Sequence, residues 1–308
     1  LGSSCTASAT SSKRQQMTLK RIAVVGSTTV DKIVGQNLSF LKMGGVTTYS
    51  GITYARHGVD TVAVSNISAQ DPEIITRLQK EKIAVFNGST EHTTHFVNHI
   101  NSEGRKQKLP RTAQPIGYTQ IANILESVSV VHLGPLHPAD IDIKAIHLLN
   151  DPERYVILDV QGYVRSVRNQ IVYPIVSKKL SDALMAAHII KANQVEYDAI
   201  LDFYKVDLIE LMTRFKIEEF IVTLREKGGF VQKQTGERID YAADMIPSLE
   251  DPTGAGDVFL AAYIIGKYVQ QRSITEACMY AAGMVAQQIT GNYIRKNTLL
   301  LAHKENSD

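Results

Sequence analysis

The sequence predicts an α/β fold in which helices cover both faces of a mostly parallel β-sheet, giving three layers. Short apolar runs rich in β-branched residues recur along the chain, and segments with helical periodicity separate them. This alternation is typical of βαβ units, in which each helix returns the chain so that successive strands run parallel. The length of 308 residues suits one large domain or two modest ones.

The predicted strands are short runs that end near glycine or polar residues, as buried parallel strands do. They are Arg21–Val25 (closed by Gly26), Thr61–Val64, Val128–Leu133, Tyr155–Val160, His188–Lys191 and Phe220–Leu224. The predicted helices lie between and after them. They are Thr48–His57, Pro72–Glu81, Thr119–Glu126, Pro138–Asn150, Val195–Tyr204, Leu208–Phe215, Asp257–Gln270 and Ser273–Thr290. Ser273 and Glu276 form a capping-box pattern, which fixes the start of the last helix.

Two segments do not follow the βαβ pattern. Residues 31–43 have weak periodicity, and residues 93–109 alternate around a glycine-containing turn, as in a hairpin. We expect these segments to form a small sheet beside the main domain, which spans 17–308. Residues 1–16 are small and polar, and we interpret them as a disordered leader or a cloning remnant.

Composition excludes several classes of protein. The 33 Lys and Arg residues nearly balance the 31 Asp and Glu residues, and no long basic run indicates a nucleic-acid partner. No apolar run approaches the roughly 20 residues of a transmembrane helix. The two cysteines, Cys5 and Cys278, form no disulfide framework, so we expect a reducing, cytoplasmic location.

The segment from Asp251 to Asp257, DPTGAGD, carries the strongest functional signal. Gly254 and Gly256 allow a tight turn, and the apolar run that follows is helical. Unpaired backbone N–H groups at a helix N-terminus favour an anion. One interpretation is a glycine turn before an acidic first helical turn. The other is a phosphoryl-transfer site, in which the amides hold negative charge and Asp257 accepts a proton from a hydroxyl group.

This segment resembles the signature of the ribokinase/PfkB family of carbohydrate kinases, D-[TS]-T-G-A-G-D-x-F, and departs from it only at Pro252. The resemblance extends from about residue 20 to about residue 295. It implies a ribokinase-like, Rossmann-like α/β/α domain whose small sheet acts as a lid. By this resemblance Asp257 is the catalytic base, and Gly254, Ala255 and Gly256 form the anion hole.

Two further segments resemble the donor-binding motifs of that family. Asn193 and Glu196 match N-x-x-E, which implies that Asn193 contacts the nucleotide and that Glu196 helps to hold Mg²⁺ through water. The alternative is an ordinary helix cap. Thr223 and Gly228 match T-x-G-x-x-G, with Arg225 in place of its first glycine. The alternative there is a polar hairpin turn.

The acceptor-binding motifs lie nearer the amino terminus. Asp31 resembles the aspartate that accepts hydrogen bonds from two substrate hydroxyls, and Gly44-Gly45 matches the G-G pair that lets substrate approach the backbone. The asparagine usual a few residues later is absent, and Thr48 lies in that stretch. Arg165 resembles the arginine of a D-x-N-x-R segment and is a candidate contact for substrate or phosphate.

Together these features predict an ATP-dependent, Mg²⁺-assisted phosphotransferase that acts on an alcohol group of a sugar, polyol or nucleoside. The resemblance also allows a monovalent cation beside Asp251, and the exposed lid allows a homodimer. One alternative is a non-catalytic relative that binds a sugar or nucleotide. Another is a dinucleotide-dependent oxidoreductase, which the absence of G-x-G-x-x-G after the first strand disfavours. The absence of a P-loop motif disfavours a Walker-type NTPase.

Overall fold

The structure, a computed structural model, describes residues 19–35, 39–101, 104–246 and 251–302. The predicted leader at 1–16 lies outside the described residues. The strands in chain order are β1 (Arg21–Val25), β2 (Thr29–Val34), β3 (Ser39–Gly44), β4 (Asp60–Ser65), β5 (Ile83–Asn87), β6 (Thr94–Asn101), β7 (Gly104–Arg111), β8 (Val130–Leu133), β9 (Tyr155–Asp159), β10 (Ser166–Arg168), β11 (Ile171–Tyr173), β12 (Ile189–Asn193), β13 (Glu219–Thr223), β14 (Gly229–Lys233) and β15 (Arg238–Tyr241).

The α-helices connect these strands and close the chain. They are α1 (Val46–Arg56), α2 (Pro72–Lys80), α3 (Tyr118–Leu125), α4 (Ile143–His147), α5 (Leu180–Ala186), α6 (Gln194–Tyr204), α7 (Leu208–Phe215), α8 (Ala255–Ile264), α9 (Ile274–Ile289) and α10 (Lys296–Leu299). A π-helical turn, Ile265–Val269, continues α8. Across the described ranges, none of the helices combines the length and hydropathy that a membrane span requires.

The main sheet has the spatial order β15-β14-β13-β12-β9-β8-β1-β4-β5. From β13 to β5 every neighbouring pair is parallel, and β14 and β15 extend the sheet in antiparallel fashion. The predicted α/β fold with a mostly parallel sheet is confirmed. Because the parallel strands all end at one edge, the loops that follow them share that edge.

Apolar side chains cover both faces of the main sheet. In β12, Ile189 belongs to the apolar cluster that includes residues of α1, α2, α8 and α9, whereas Ile190 belongs to the cluster that includes residues of α3 to α7. Successive residues of a strand point to opposite faces, so the β-branched runs are buried on both sides. This two-sided burial is why the strands read as continuous apolar runs in the sequence.

A second sheet with the order β10-β11-β7-β6-β2-β3 lies beside the main one. The segments 31–43 and 93–109, for which we predicted a small sheet, supply parts of β2, β3, β6 and β7. Residues 36–38 and 102–103, including part of the predicted hairpin turn, lie outside the described residues. The hairpin of β10 and β11 was not predicted, because its three-residue strands are too short to show a period.

Buried hydrogen bonds join the two sheets. Ser27, which follows β1, donates its hydroxyl to Oδ1 of Asp140 at 2.6 Å and lies 3.1 Å from the hydroxyl of Thr94 in β6. Asp140 also accepts from the backbone of Leu136 at 2.8 Å. Paired polar groups of this kind fix the second sheet over the carboxyl edge of the main sheet.

Some element boundaries differ from the prediction. The helix predicted at Pro138–Asn150 begins only at Ile143, because Asp140 is held in the preceding turn and Asp142 caps the helix. The helix predicted at Asp257–Gln270 begins two residues earlier and changes to a π-turn at Ile265. The strands β5 and β15 were not predicted, since they lie at the two edges of the main sheet and have mixed polarity. The strand β14, between β15 and β13, was not assigned as a separate strand either.

Two methionines test the packing. Met212 in α7 is fully buried, whereas Met279 in α9 is 63% exposed. We expect Met212→Ala to lower the free energy of unfolding by about 2–5 kcal/mol through the cavity it leaves. Met279→Ala is the matched control and changes it by less than about 0.5 kcal/mol. Urea unfolding followed by circular dichroism measures both, and equal values for the two variants would contradict this packing.

Candidate active site

The glycine loop, Asp251–Asp257, leads directly into α8. Gly254 is the residue before the helix and has a φ of 79°. A side chain there would overlap the ring of Tyr49 in α1. Only glycine satisfies both the left-handed conformation and this close contact. The helix therefore begins inside the loop, with its first backbone N–H groups directed out of the helix end.

Asp257 lies in the first turn of α8, half-buried at this helix end. Burial and the nearby charge of Asp159 raise the pKa of its carboxyl group, Lys191 and Arg165 lower it, and the net result is a pKa of about 7. Asp31 of the second sheet also raises this pKa. A carboxyl group that titrates near neutrality is suited to accept a proton at physiological pH.

A buried ion pair lies beneath the helix end. Lys191 in β12 and Asp159 in β9 are direct neighbours across the sheet, and Lys191 Nζ donates to Asp159 Oδ2 at 2.9 Å. A Cβ added to Gly256 would lie 2.6 Å from Lys191 Nζ. Burial opposes the charge of Lys191, but Asp159 and Glu196 outweigh it, so the pKa of the ammonium group is raised. The pair therefore holds the ammonium group of Lys191 directly below the glycine loop.

The predicted acceptor residues lie on the second sheet and at the start of α1. Asp31 in β2 is buried and accepts a hydrogen bond from the hydroxyl of Thr29 at 2.7 Å. A Cβ on Gly44 would lie 2.5 Å from Asp31 Oδ2, so this backbone packs against the carboxylate. Gly45 is the residue that precedes α1. Thr48 is fully buried, and its hydroxyl donates to the carbonyl of Gly44 at 2.7 Å, so it supports the turn from below.

Arg165 and Glu196 come from segments that follow two strands of the main sheet, β9 and β12. Arg165 follows a short 3₁₀ turn and donates to the carbonyl of Leu136 at 3.3 Å. Its positive charge lowers the pKa of both Asp257 and Glu196. Each of these carboxylates therefore lies within electrostatic reach of the same guanidinium group.

The helix-cap interpretation of Asn193 and Glu196 describes their hydrogen bonds. Asn193 Oδ1 accepts from the Glu196 backbone at 3.0 Å, and Glu196 Oε2 accepts from the Asn193 backbone at 2.9 Å. Burial raises the pKa of Glu196, and Lys191 lowers it. One carboxylate oxygen serves the cap and the second oxygen is left for another ligand, so the cap and a metal-binding role are compatible.

The segment Thr223–Gly228 forms the turn of a hairpin, as the alternative interpretation predicted. Thr223 ends β13 beside Asn193 of β12, so both lie at the carboxyl edge of the main sheet. Leu224 donates to the carbonyl of Gly228 at 2.7 Å and closes the turn. Arg225 has a φ of 55° and is exposed. The turn thus presents a charged side chain where the family motif has a glycine.

Asp251, the first residue of the glycine loop, is paired with Lys42 of β3. Asp251 Oδ1 also accepts from the backbone of Thr253 at 2.9 Å. Burial raises the pKa of Asp251, but Lys42 and Thr253 outweigh it, so the pKa is lowered. The carboxylate beside which the sequence allowed a monovalent cation is therefore balanced by a tethered ammonium group.

Several of the predicted residues lie near one edge of the main sheet, and Asp257 is within electrostatic reach of Asp31 and Arg165. Sequence reasoning missed Lys42 and Lys191, and it included Asp159 only as the first residue of the segment that resembles D-x-N-x-R, without a role. A signal was present for the two lysines, because each interrupts an otherwise apolar strand segment, SFLKMG and IIKAN. Within the described residues, no group of three His, Cys, Asp or Glu side chains is arranged to hold a metal ion by itself.

Comparisons with solved structures show the fold. A pyrophosphate-dependent kinase in the ribokinase family, solved with sulfate, matches with a TM-score of 0.77 and 21% identity over 90% of this chain and 98% of its own. Ribokinase from Thermotoga maritima matches with a TM-score of 0.69 and 18% identity over 87% and 92%. Adenosine kinase from Sinorhizobium meliloti matches with a TM-score of 0.71 and 16% identity over 90% and 96%.

Among curated protein sequences, none matches this chain. The family model described as pfkB family carbohydrate kinase matches residues 41–295, a range that runs from β3 through the glycine loop to the end of α9 and beyond. The resemblance expected from the sequence is thereby confirmed: the chain belongs to the pfkB family of carbohydrate kinases.

Proposed function

We propose that this protein is an ATP-dependent phosphotransferase that acts on an alcohol group of a sugar, polyol or nucleoside. The observation that carries the proposal is the position of Asp257. Its carboxyl group, with a pKa of about 7, lies at the amino end of α8 and within electrostatic reach of Asp31 on the second sheet. Transfer of a phosphoryl group to a hydroxyl requires a proton acceptor beside a pre-formed anion-binding site.

In the proposed reaction Asp31 accepts hydrogen bonds from acceptor hydroxyls, and the backbone of Gly44 and Gly45 allows close approach. Asp257 takes the proton of the attacking hydroxyl while the oxygen of that hydroxyl bonds to the terminal phosphorus of the donor. The bond from that phosphorus to the bridging oxygen breaks, and the electron pair leaves with the donor product. The backbone amides of Gly254–Gly256 stabilise the charge on the transferred group.

Fixed cations support this step. Lys191 lies beneath Gly256, and its positive charge lowers the pKa of Asp257. Arg165 lowers that pKa as well. In the proposed role both cations keep Asp257 ionised often enough to act as a base, and both attract the anionic donor. Asp159 holds Lys191 in place through their hydrogen bond.

The donor is proposed to bind along the carboxyl ends of β12 and β13, at Asn193, Thr223, Arg225 and Gly228. Mg²⁺ fits this location because Glu196 offers a buried carboxylate with an oxygen beyond its helix cap, and hydrated Mg²⁺ commonly uses one or two carboxylates together with phosphates. Glu196 would hold the ion through water, and the ion would neutralise the phosphate oxygens of the bound donor.

The second sheet is proposed to act as a lid and as a dimer surface. It carries Asp31 over the carboxyl edge of the main sheet, where closure would exclude water from the donor. Its edge strands are β10 and β3. Val167 in β10 and Ile171 and Tyr173 in the adjacent β11 are each 37–40% exposed, which favours pairing with a second copy. We also propose a cytoplasmic location, since Cys278 is a free, buried thiol.

Replacement of Asp257 tests the proposed base. We expect Asp257→Asn to lower kcat by about 10²–10⁴-fold, since the amide cannot accept the proton. Donor affinity, measured by calorimetry, should be retained. Asp202→Asn, on the exposed face of α6, is the matched control and should leave kcat unchanged. Near-normal turnover of Asp257→Asn would remove Asp257 from this role.

The raised pKa of Asp257 sets the pH dependence. In the unfolded chain this group ionises near 3.8, but in the folded protein it does so near 7. We therefore expect kcat/KM to rise as pH increases through about 7. The ionised, buried group opposes folding, so the stability that it contributes is present at low pH and is lost as pH rises through about 7. The stability of Asp257→Asn relative to the wild type should thus increase from about pH 4 to about pH 7 and stay constant above about pH 7, as measured by thermal unfolding at each pH.

The donor has a second candidate. Similar solved structures include a pyrophosphate-dependent kinase with sulfate and one complexed with a pyrophosphate analogue and myo-inositol. In this chain Arg225 replaces the first glycine of the T-x-G-x-x-G segment that is proposed to bind the donor. We expect transfer from Mg-ATP or Mg-pyrophosphate to one acceptor in a panel of ribose, fructose 6-phosphate, myo-inositol, adenosine and cytidine. Product detection by ³¹P NMR identifies donor and acceptor together. Binding of both without transfer would favour the non-catalytic alternative.

A further inference from the structure

Lys42 is a buried cation outside the proposed reaction. It lies in β3, is 1% exposed, and forms an ion pair with Oδ2 of Asp251. A buried ammonium group is costly unless a partner compensates it, and removal of either partner leaves an uncompensated charge. Asp251 is such a partner, and its other oxygen is held by the Thr253 backbone. The pair therefore fixes the orientation of the first residue of the glycine loop.

The same residue belongs to the acceptor side of the site. Lys42 pairs directly with Asp31 in the antiparallel register of β2 and β3, so both side chains lie on one face of the second sheet. The strand β3 is also tied to the end of the chain, since Leu301 donates to the carbonyl of Leu41 at 3.0 Å. The ammonium group thus joins the strand pair that carries Asp31 to the loop that ends in Asp257.

We propose that Lys42 is a positioning residue that acts as a built-in monovalent cation. Its ammonium group neutralises Asp251 and holds the glycine loop against the second sheet, so that phosphoryl transfer requires no dissolved K⁺ or Na⁺ at this carboxylate. The expected effect on turnover rests on the proposed function. The pairing of Lys42 with Asp251 does not depend on that function. Lys42 does not contact the reacting atoms in this role, since its nitrogen is engaged by Asp251.

The atoms of Lys42 define a direct chemical test. Lys42→Ala removes the side chain beyond Cβ, and n-propylammonium has the same three carbons and one nitrogen as the part removed. The variant should therefore bind this ion in the vacated space beside Asp251. Tetramethylammonium carries the same charge but is too bulky to approach the carboxylate closely, and n-propanol fills the space without charge. These two compounds are the controls for charge and for shape.

The experiment measures turnover and thermal unfolding of the full chain in buffers that contain Na⁺, K⁺ or tetramethylammonium. We expect equal wild-type turnover in all three. Lys42→Ala and the neutral, similarly sized Lys42→Met should lose about tenfold or more in kcat, because a displaced loop misaligns the reacting groups. Only n-propylammonium should restore both the kcat and the Tm of Lys42→Ala. Lys32→Met, on the neighbouring strand β2 but the opposite face, is the control and should behave as the wild type.

Several results would overturn the proposal. Activation of the wild type by K⁺ would show that a dissolved cation is still required. If Lys42→Ala kept the kcat of the wild type and n-propylammonium restored only its Tm, the ion pair would have a structural role and no role in positioning the loop for transfer. If Lys42→Ala does not fold, Lys42→Arg keeps the charge and should retain turnover in all three buffers. If the wild type transfers no phosphoryl group at all, the proposed function fails, and the Tm response of Lys42→Ala to n-propylammonium still decides whether the cation site exists.

Discussion

The structure depends on charge balance around one short loop. The glycine loop starts at Asp251, paired with Lys42, and ends at Asp257, above the pair of Lys191 and Asp159. Two buried ammonium groups from two different sheets thus flank a helix N-terminus that already favours anions. The fold fixes both ammonium groups and their carboxylate partners in advance, so little reorganisation is required when charge develops at this helix end.

Much of this arrangement follows from local sequence. The α/β alternation predicts the main sheet, since two-sided burial imposes apolar strands. The glycine loop predicts a sharp turn into a helix, and the structure needs glycine at 254 because of its positive φ and the ring of Tyr49. The pattern at Asn193 and Glu196 predicts a helix cap, and both hydrogen bonds of that cap are present.

The ion pairs could not be predicted in the same way. Lys42 and Asp251 are 209 positions apart, and Lys191 and Asp159 are 32 apart, so their contacts depend on strand order and register. The apolar residues around each lysine indicate a buried position, but only the folded arrangement shows which carboxylate each lysine meets. The hairpin of β10 and β11 escaped prediction for a related reason, since its strands gain their stability from β7 and not from their own composition.

The second sheet enters the chain in three separate excursions, at β2–β3, β6–β7 and β10–β11. Each excursion leaves the carboxyl edge of the main sheet and returns to it before the next helix. The length or composition of one hairpin can therefore change while the helices and parallel strands keep their packing. The β2–β3 hairpin is the exception, because Lys42 ties it to Asp251 of the glycine loop. The β6–β7 and β10–β11 hairpins are therefore the places where a protein engineer can lengthen or exchange part of the second sheet and leave that ion pair intact.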